Sequence, residues 1–204
     1  MARIAEVSRK TNETDIFIRL NLDGTGETKL FYPVGFMTHM LNTFARHGLF
    51  DIEIKAAGDL EVDQHHLVED TGLVLGQCFA KALGDRKGIR RTGNCLFPMD
   101  ETLARAAVDL SGRAFLFFSM EFSGNFVSAP SGGCAGFQPD VTEDFWQAFA
   151  GCAGAALHLD ILRGRSDHHK IEAVFKAAAR ALRDACEIDK RAENYIPSTK
   201  GVLA

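Results

Sequence analysis

An α+β fold made of two similar halves is the architecture this sequence predicts. Two observations carry it. The signature His-His-x-x-Glu occurs twice, as His65-His66-x-x-Glu69 and His168-His169-x-x-Glu172. The order strands, helix, strand, helix also runs twice, breaking near residue 90 and dividing the chain into halves 1–90 and 91–204. Hairpin-like alternation suits antiparallel pairing, so each half is expected to hold a mainly antiparallel sheet with two helices on one face, within one compact subunit.

In the first half, Ile16, Ile18, Leu20 and Leu22 alternate with Phe17, Arg19 and Asn21, the period of a half-buried strand. Asp23-Gly24-Thr25-Gly26 supplies turn chemistry, so residues 13–31 read as a hairpin. Phe36, Met40 and Phe44 fall at helical spacing over 36–47, and 49–56 alternates again. A long helix is expected from about 65 to 83, carrying Leu67, Leu73, Val74, Phe79 and Leu83 and stopping at Gly84. The second half reads as strands at 89–97, 103–110 and 113–120, then a loop at 121–138 with four glycines and one proline. A helix at 140–152, a strand at 155–162 and a helix at about 168–186 complete it; the tail from 190 is less regular.

Composition narrows the function. With 46% hydrophobic and 25% charged residues, the chain has the make-up of a soluble globular protein. Its net charge of -4 argues against a nucleic-acid binder. Polar residues interrupt every apolar run short of membrane-spanning length, and the N-terminus has no apolar signal core. Five cysteines (Cys78, Cys95, Cys134, Cys152, Cys186) show no CxxC spacing, which suits reduced thiols in a cytoplasmic protein.

The repeated signature carries the chemistry. Asp63 and Ser166 each stand two residues before a histidine pair and are good helix N-cap types. On a helix, residues i and i+4 share a face, so His65 pairs with Glu69 and His168 with Glu172. His66 and His169 are turned by roughly 100°. Each helix can then offer two ligands to one metal and a third to a neighbouring one. Mixed imidazole and carboxylate donors suit Mn, Fe or Zn better than a cysteine-rich structural site would. Asp70 and Asp167 flank the motifs, either as acceptors orienting imidazoles or as solvated helix-end charges.

With these motifs placed, the chain resembles imidazoleglycerol-phosphate dehydratases along nearly its whole length. The carrying segments are TNET (11–14), HMLNTFARHGLFDIEIKAAGDLEVDQHHLVED (39–70), PMDE (98–101), DLSGR (109–113), LHLDILRGRSDHHKIEAVFKAAARAL (157–182) and IPSTKG (196–201). The resemblance implies dehydration of imidazole glycerol phosphate to imidazole acetol phosphate in histidine biosynthesis, through a metal-bound imidazolate and a diazafulvene-like intermediate. It implies two Mn2+ ions per site and a 24-subunit homo-oligomer with active sites between subunits. Carried onto this sequence, one metal falls to His39, His66, His168 and Glu172, the other to His65, Glu69, His169 and Asp144. Two positions depart from the family: Asp144 stands where histidine is common, and Thr38 where an acidic residue usually precedes His39.

The same resemblance assigns the remaining roles. Glu172 is the candidate base for the carbon-bound proton, and Glu13 the candidate acid for the leaving hydroxyl. His47 is placed near the substrate. Arg91, Arg113, Lys176, Ser198 and Lys200 contact substrate and phosphate, arginine being suited to bidentate phosphate binding. The segment Ser198–Gly201 is expected to fold over bound substrate.

Overall fold

The computed structural model describes residues 3–127 and 136–203. Its elements run β1 (Ile4–Lys10), β2 (Thr14–Asn21), β3 (Thr28–Phe31), α1 (Gly35–Gly48), β4 (Asp51–Gly58) and α2 (His65–Leu83). The second set follows in the same order: β5 (Thr92–Met99), β6 (Thr102–Asp109), β7 (Phe115–Ser119), α3 (Val141–Ala153), β8 (Ala156–Arg163) and α4 (Asp167–Cys186). The fold is the duplicated α+β arrangement, with sheet orders β1-β2-β4-β3 and β5-β6-β8-β7.

Each sheet has two antiparallel pairings and one parallel pairing, at β3/β4 and β7/β8. This corrects the hairpin expected over residues 13–31. The hairpin is β1–β2, with Val7 opposite Ile18, while β3 runs parallel to β4, with Leu30 opposite Ile54. The 23–27 segment is still a tight connection, because the Asp51 carboxylate accepts N–H bonds from Thr25, Gly26 and Glu27. That links the start of β4 to the loop before β3 and turns the chain away from β2.

Strand alternation makes the inner faces. Ile16, Ile18 and Leu20 of β2 are fully buried, as are Ala104 and Ala106 of β6. The small β6 residues suit α4, whose inward side is itself largely alanine (Ala173, Ala177, Ala178, Ala181 and Ala185, all buried). At Gly93 of β5 the approach is so close that a Cβ would lie 2.0 Å from the Ala181 carbonyl oxygen. Helices α1 and α2 cover the first sheet, α3 and α4 the second, and α1 packs on α4 while α2 packs on α3. Trp146 sits among Phe44 of α1 and Phe145, Phe149 and Phe175, with its ring 4.9 Å from that of Phe175. Burying one such aromatic is worth roughly 3–5 kcal/mol against truncation to alanine. The halves therefore share one aromatic core.

Helix ends follow local chemistry with one correction. Ser166 caps α4 by accepting the His169 N–H, as expected. At α2 the cap position is Gln64 and makes no side-chain cap bond; Asp63 instead accepts the N–H of His65, at 2.7 Å. Of the cysteines, Cys78 and Cys186 are buried, Cys95 and Cys152 are partly buried, and all four are free; Cys134 lies outside the described residues. The part of the expected 121–138 loop that is described has no regular structure, and residues 128–135 lie outside the description. Among the described residues no helix is long and apolar enough to cross a membrane.

Candidate active site

The α1–α4 and α2–α3 pairings decide which histidines meet. His39, one turn into α1, faces His168 and Glu172 at the start of α4. The Glu172 Oε2 atom lies 3.4 Å from His39 Nε2 and 3.2 Å from His168 Nε2. Donor atoms of these three residues all fall within 4.8 Å of one another, the single such group of His, Cys, Asp and Glu among the described residues. Two imidazole nitrogens and a carboxylate oxygen this close suit a borderline divalent cation. Burial pushes the Glu172 carboxyl up, but Lys176 (Nζ 2.8 Å from Oε1) and His39 outweigh it, and its pKa ends below the usual range.

The pseudo-symmetric place, at the α2–α3 contact, holds His65, Glu69 and Asp144. His65 Nε2 is 3.6 Å from Glu69, and its Nδ1 is 3.4 Å from Asp144. The two carboxylates meet opposite nitrogens of the ring. A cation shared by all three therefore requires the imidazole or Asp144 to turn.

His66 and His169 join neither cluster. His66 Nδ1 lies 2.9 Å from Asp59, and His169 Nδ1 lies 2.8 Å from Glu101. Each bond fixes a ring and turns Nε2 away from that carboxylate, the arrangement a histidine needs to offer Nε2 to a ligand. The Asp59 bond raises the His66 pKa. Glu101 also accepts the N–H groups of Ser166 and Arg165, and with His169 these hold its carboxyl down at about 2. Asp59 and Glu101 thus take the ring-orienting role that was one of the two readings of Asp70 and Asp167. Asp70 instead accepts from Arg9 and Thr14, and Asp167 from Ser123 and Lys170. Neither is a solvated charge, since both are about nine-tenths buried. Glu101 had a legible signal: Asn12-Glu13-Thr14 and Asp100-Glu101-Thr102 open β2 and β6 at matching places. Asp59 had none.

The remaining candidates divide into three places. Glu13 is exposed in the β1–β2 turn, close enough to His66 to raise its pKa. His47 ends α1 beside Phe97, where burial first, then Lys176 and Arg180, lower its pKa, so it is neutral at pH 7. Arg91, Arg113, Ser198 and Lys200 line one cavity of about 310 Å³, which Lys176 does not join because it binds Glu172. The tail is held against this cavity: Arg91 donates to the Pro197 carbonyl, and the Gly88 N–H to that of Tyr195. Arg91 itself is fixed by Asp109 through two N–H bonds of 2.7 and 2.9 Å. Thr38 donates its hydroxyl back to the Val34 and Tyr32 carbonyls.

An internally duplicated α+β subunit with a histidine–carboxylate cluster at its helix starts and a cationic cavity is the class of protein these features define. The chain belongs to the imidazoleglycerol-phosphate dehydratase family, whose model matches residues 33–182. It is 54% identical over 201 residues to the imidazoleglycerol-phosphate dehydratase of Acinetobacter baumannii (strain AYE), covering 98% of this chain and 96% of that one. Identity to the Paraburkholderia xenovorans (strain LB400) enzyme of the same name is 52%, covering 98% and 100%. The crystal structure of the Staphylococcus aureus dehydratase matches with a TM-score of 0.80 at 35% identity, over 91% of this chain and 99% of that one. The Pyrococcus furiosus protein, solved in complex with (S)-C348, matches at 0.78 and 31%, over 97% and 100%. The family is one of hydro-lyases.

Proposed function

We propose that this protein dehydrates imidazole glycerol phosphate to imidazole acetol phosphate in histidine biosynthesis, as a cytoplasmic, metal-dependent homo-oligomer of 24 subunits with shared active sites. The observation that carries the reading is the split of each His-His pair. One histidine enters a cluster within the subunit, and the other, its Nδ1 held by a carboxylate, leaves Nε2 for a ligand outside it. His39, His168 and Glu172 would hold one Mn2+ with the partner subunit's His66; His65, Glu69 and Asp144 would hold the other with the partner subunit's His169. Divalent cations held by these residues would supply Lewis acidity toward the imidazole ring of the substrate.

The protein's own groups do the rest. The phosphate docks in the cavity of Arg91, Arg113, Ser198 and Lys200, a reading supported by the four donor side chains that line it. Burial would raise the Glu172 pKa, but Lys176 and His39 outweigh it, so Glu172 stays an ionised carboxylate that can accept the carbon-bound proton. Glu13 gives a proton to the departing hydroxyl, which leaves as water, and the enol tautomerises to the ketone. Because the Glu13 carbonyl accepts the N–H of Asp59, whose carboxylate holds His66, Glu13 enters the site with the copy that supplies His66. His47, neutral beside Lys176, accepts or donates a hydrogen bond to the substrate chain.

The test is direct. Assembled protein loaded with Mn2+ is incubated with imidazole glycerol phosphate, and the ketone is measured. Absence of product from fully metallated, assembled protein refutes the reading. Unchanged metal content in both His66→Ala and His168→Ala refutes the ligand assignment alone.

A further inference from the structure

The two halves carry the same turn and use it differently. Asn12-Glu13-Thr14 joins β1 to β2, and Asp100-Glu101-Thr102 joins β5 to β6. In both, the threonine is the first residue of the following strand and is buried. In the second half, the glutamate itself ties the turn down, accepting from the Arg165 and Ser166 N–H groups and meeting His169 Nδ1. Thr102 contributes no such bond: its Oγ1 is buried without a partner among the described residues. The first half reverses this. Thr14 donates its hydroxyl to Asp70 of α2, at 2.5 Å, and Arg9 of β1 also binds Asp70. Thr11 closes the turn by accepting the N–H groups of Glu13 and Thr14, at 3.1 and 3.0 Å. The Glu13 carboxylate makes no hydrogen bond or ion pair among the described residues.

The position in α4 that corresponds to Asp70 is Ala173, by the same offset that relates His65 to His168. Anchoring is therefore a matter of either the glutamate or the helix aspartate. Where α4 has alanine, the turn glutamate is consumed as an anchor. Where α2 has Asp70, the anchor is Asp70 with Thr14, and the glutamate is released with its backbone held still. We infer that Asp70, acting through Thr14, is a positioning residue for Glu13; this rests on the reading of Glu13 as the acid. A buried carboxylate bonded to both a guanidinium and a hydroxyl is a stiff attachment. It fixes the Glu13 backbone relative to α2, the helix that carries His66 three residues away from Glu69.

The experiment is a double-mutant cycle read in steady-state kinetics on assembled, Mn2+-loaded protein, with metal content and melting temperature measured for each variant. Thr14→Val and Asp70→Ala are each expected to lower kcat by about tenfold or more, with KM within about twofold, since misplacing a reacting group by an ångström costs on the order of a hundredfold. Their double variant should be no slower than the slower single, because both break one link. Thr14→Ser, which keeps the hydroxyl, should return kcat to within about twofold of the parent; loss of a methyl's packing alone would not be rescued this way. Thr14→Val touches no proposed metal ligand, so its effect stands apart from any disturbance of Glu69 by Asp70→Ala. Full kcat in either single variant, or losses that multiply in the double, overturns the inference. Glu13→Gln is the reference: if it keeps activity, the acid assignment fails; if it is inactive while Thr14→Val and Asp70→Ala are fully active, only the positioning role fails.

Discussion

Arg86 is a buried cation outside the proposed chemistry, and its removal should cost more stability than that of any surface ion pair. It follows the α2 cap Gly84 and has a positive φ of 59°. Its guanidinium donates to the carbonyls of Leu110 at 2.9 Å, Gly154 at 3.0 Å and Ala153 at 2.7 Å. Ala153 ends α3 and Gly154 caps it, so the charge also faces the negative end of that helix. Burial lowers the Arg86 pKa, yet an arginine this far above neutrality stays charged. In Arg86→Met, three bonds from a charged donor are lost, each worth roughly 1.5–3 kcal/mol. The Gly154 carbonyl keeps a bond from the Gly112 N–H, and methionine removes the desolvation cost of the cation. The net loss should be about 3–5 kcal/mol, the range for breaking a buried charged network. The assay is urea unfolding at one fixed subunit concentration, because assembly makes apparent stability concentration-dependent. Arg86→Lys should recover less than half, since one ammonium cannot reproduce a planar fork to three carbonyls. Leu110 also donates to the Arg91 carbonyl and precedes Arg113, so KM should rise in the same variants. A loss below about 1 kcal/mol in Arg86→Met, or parental stability in Arg86→Lys, refutes the reasoning.

Three further outcomes are expected. Asp51→Ala should destabilise by about 1–3 kcal/mol at pH 7, through four lost N–H bonds to its carboxylate. Burial raises the Asp51 pKa but those bonds outweigh it and leave it below 3.8; a lowered folded pKa means the contribution is present above the unfolded value and lost as pH falls through the folded one, so parent and variant should converge in melting temperature only in strong acid. Gly72→Ala should cost about 1–3 kcal/mol because its Cβ would lie 2.2 Å from the Phe145 carbonyl oxygen, whereas Gly151→Ala, with open space, should gain up to about 1 kcal/mol of helix stability; effects of the same sign in calorimetry would contradict this. Inactive Glu13→Gln and Glu172→Gln subunits, unfolded together and reassembled at equal ratio, should recover about a quarter of parental activity, since random mixing gives that share of sites both intact groups when each comes from a different copy. No recovery would place both groups in one chain.

What was legible in the sequence follows range of interaction. The β2 alternation and the long helices could be read because their buried faces recur every two or three to four residues. Strand β1 could not, because it is an edge strand with Ala5 alone fully inside. The parallel β3–β4 pairing was hidden for a related reason: it joins segments across α1, and the tight 23–27 turn mimics a hairpin until Asp51 is seen to hold it. At the site, the HHxxE repeat identified ligand types, and i,i+4 geometry paired His65 with Glu69 and His168 with Glu172. Repetition says which residues correspond, though, and not which ones touch. Contact is set by helices crossing between halves, so His39 of the first half meets the second motif and Asp144 of the second half meets the first.

That crossing gives the substitution at Asp144 its physical meaning. The His39 set has two imidazoles and one carboxylate, a formal charge of -1. The His65 set has one imidazole and two carboxylates, a formal charge of -2. Adding one neutral imidazole to each leaves that difference intact. Oxygen-rich, more anionic donor sets favour harder cations, while imidazole-rich ones tolerate softer ions. Asp144 meets the Nδ1 atom of His65 and Glu69 the Nε2 atom, so the two carboxylates bracket one imidazole. The two places correspond through the repeat, and Asp144 of α3 gives one of them a second carboxylate. Two cations held there would differ in affinity even though the backbone around them repeats.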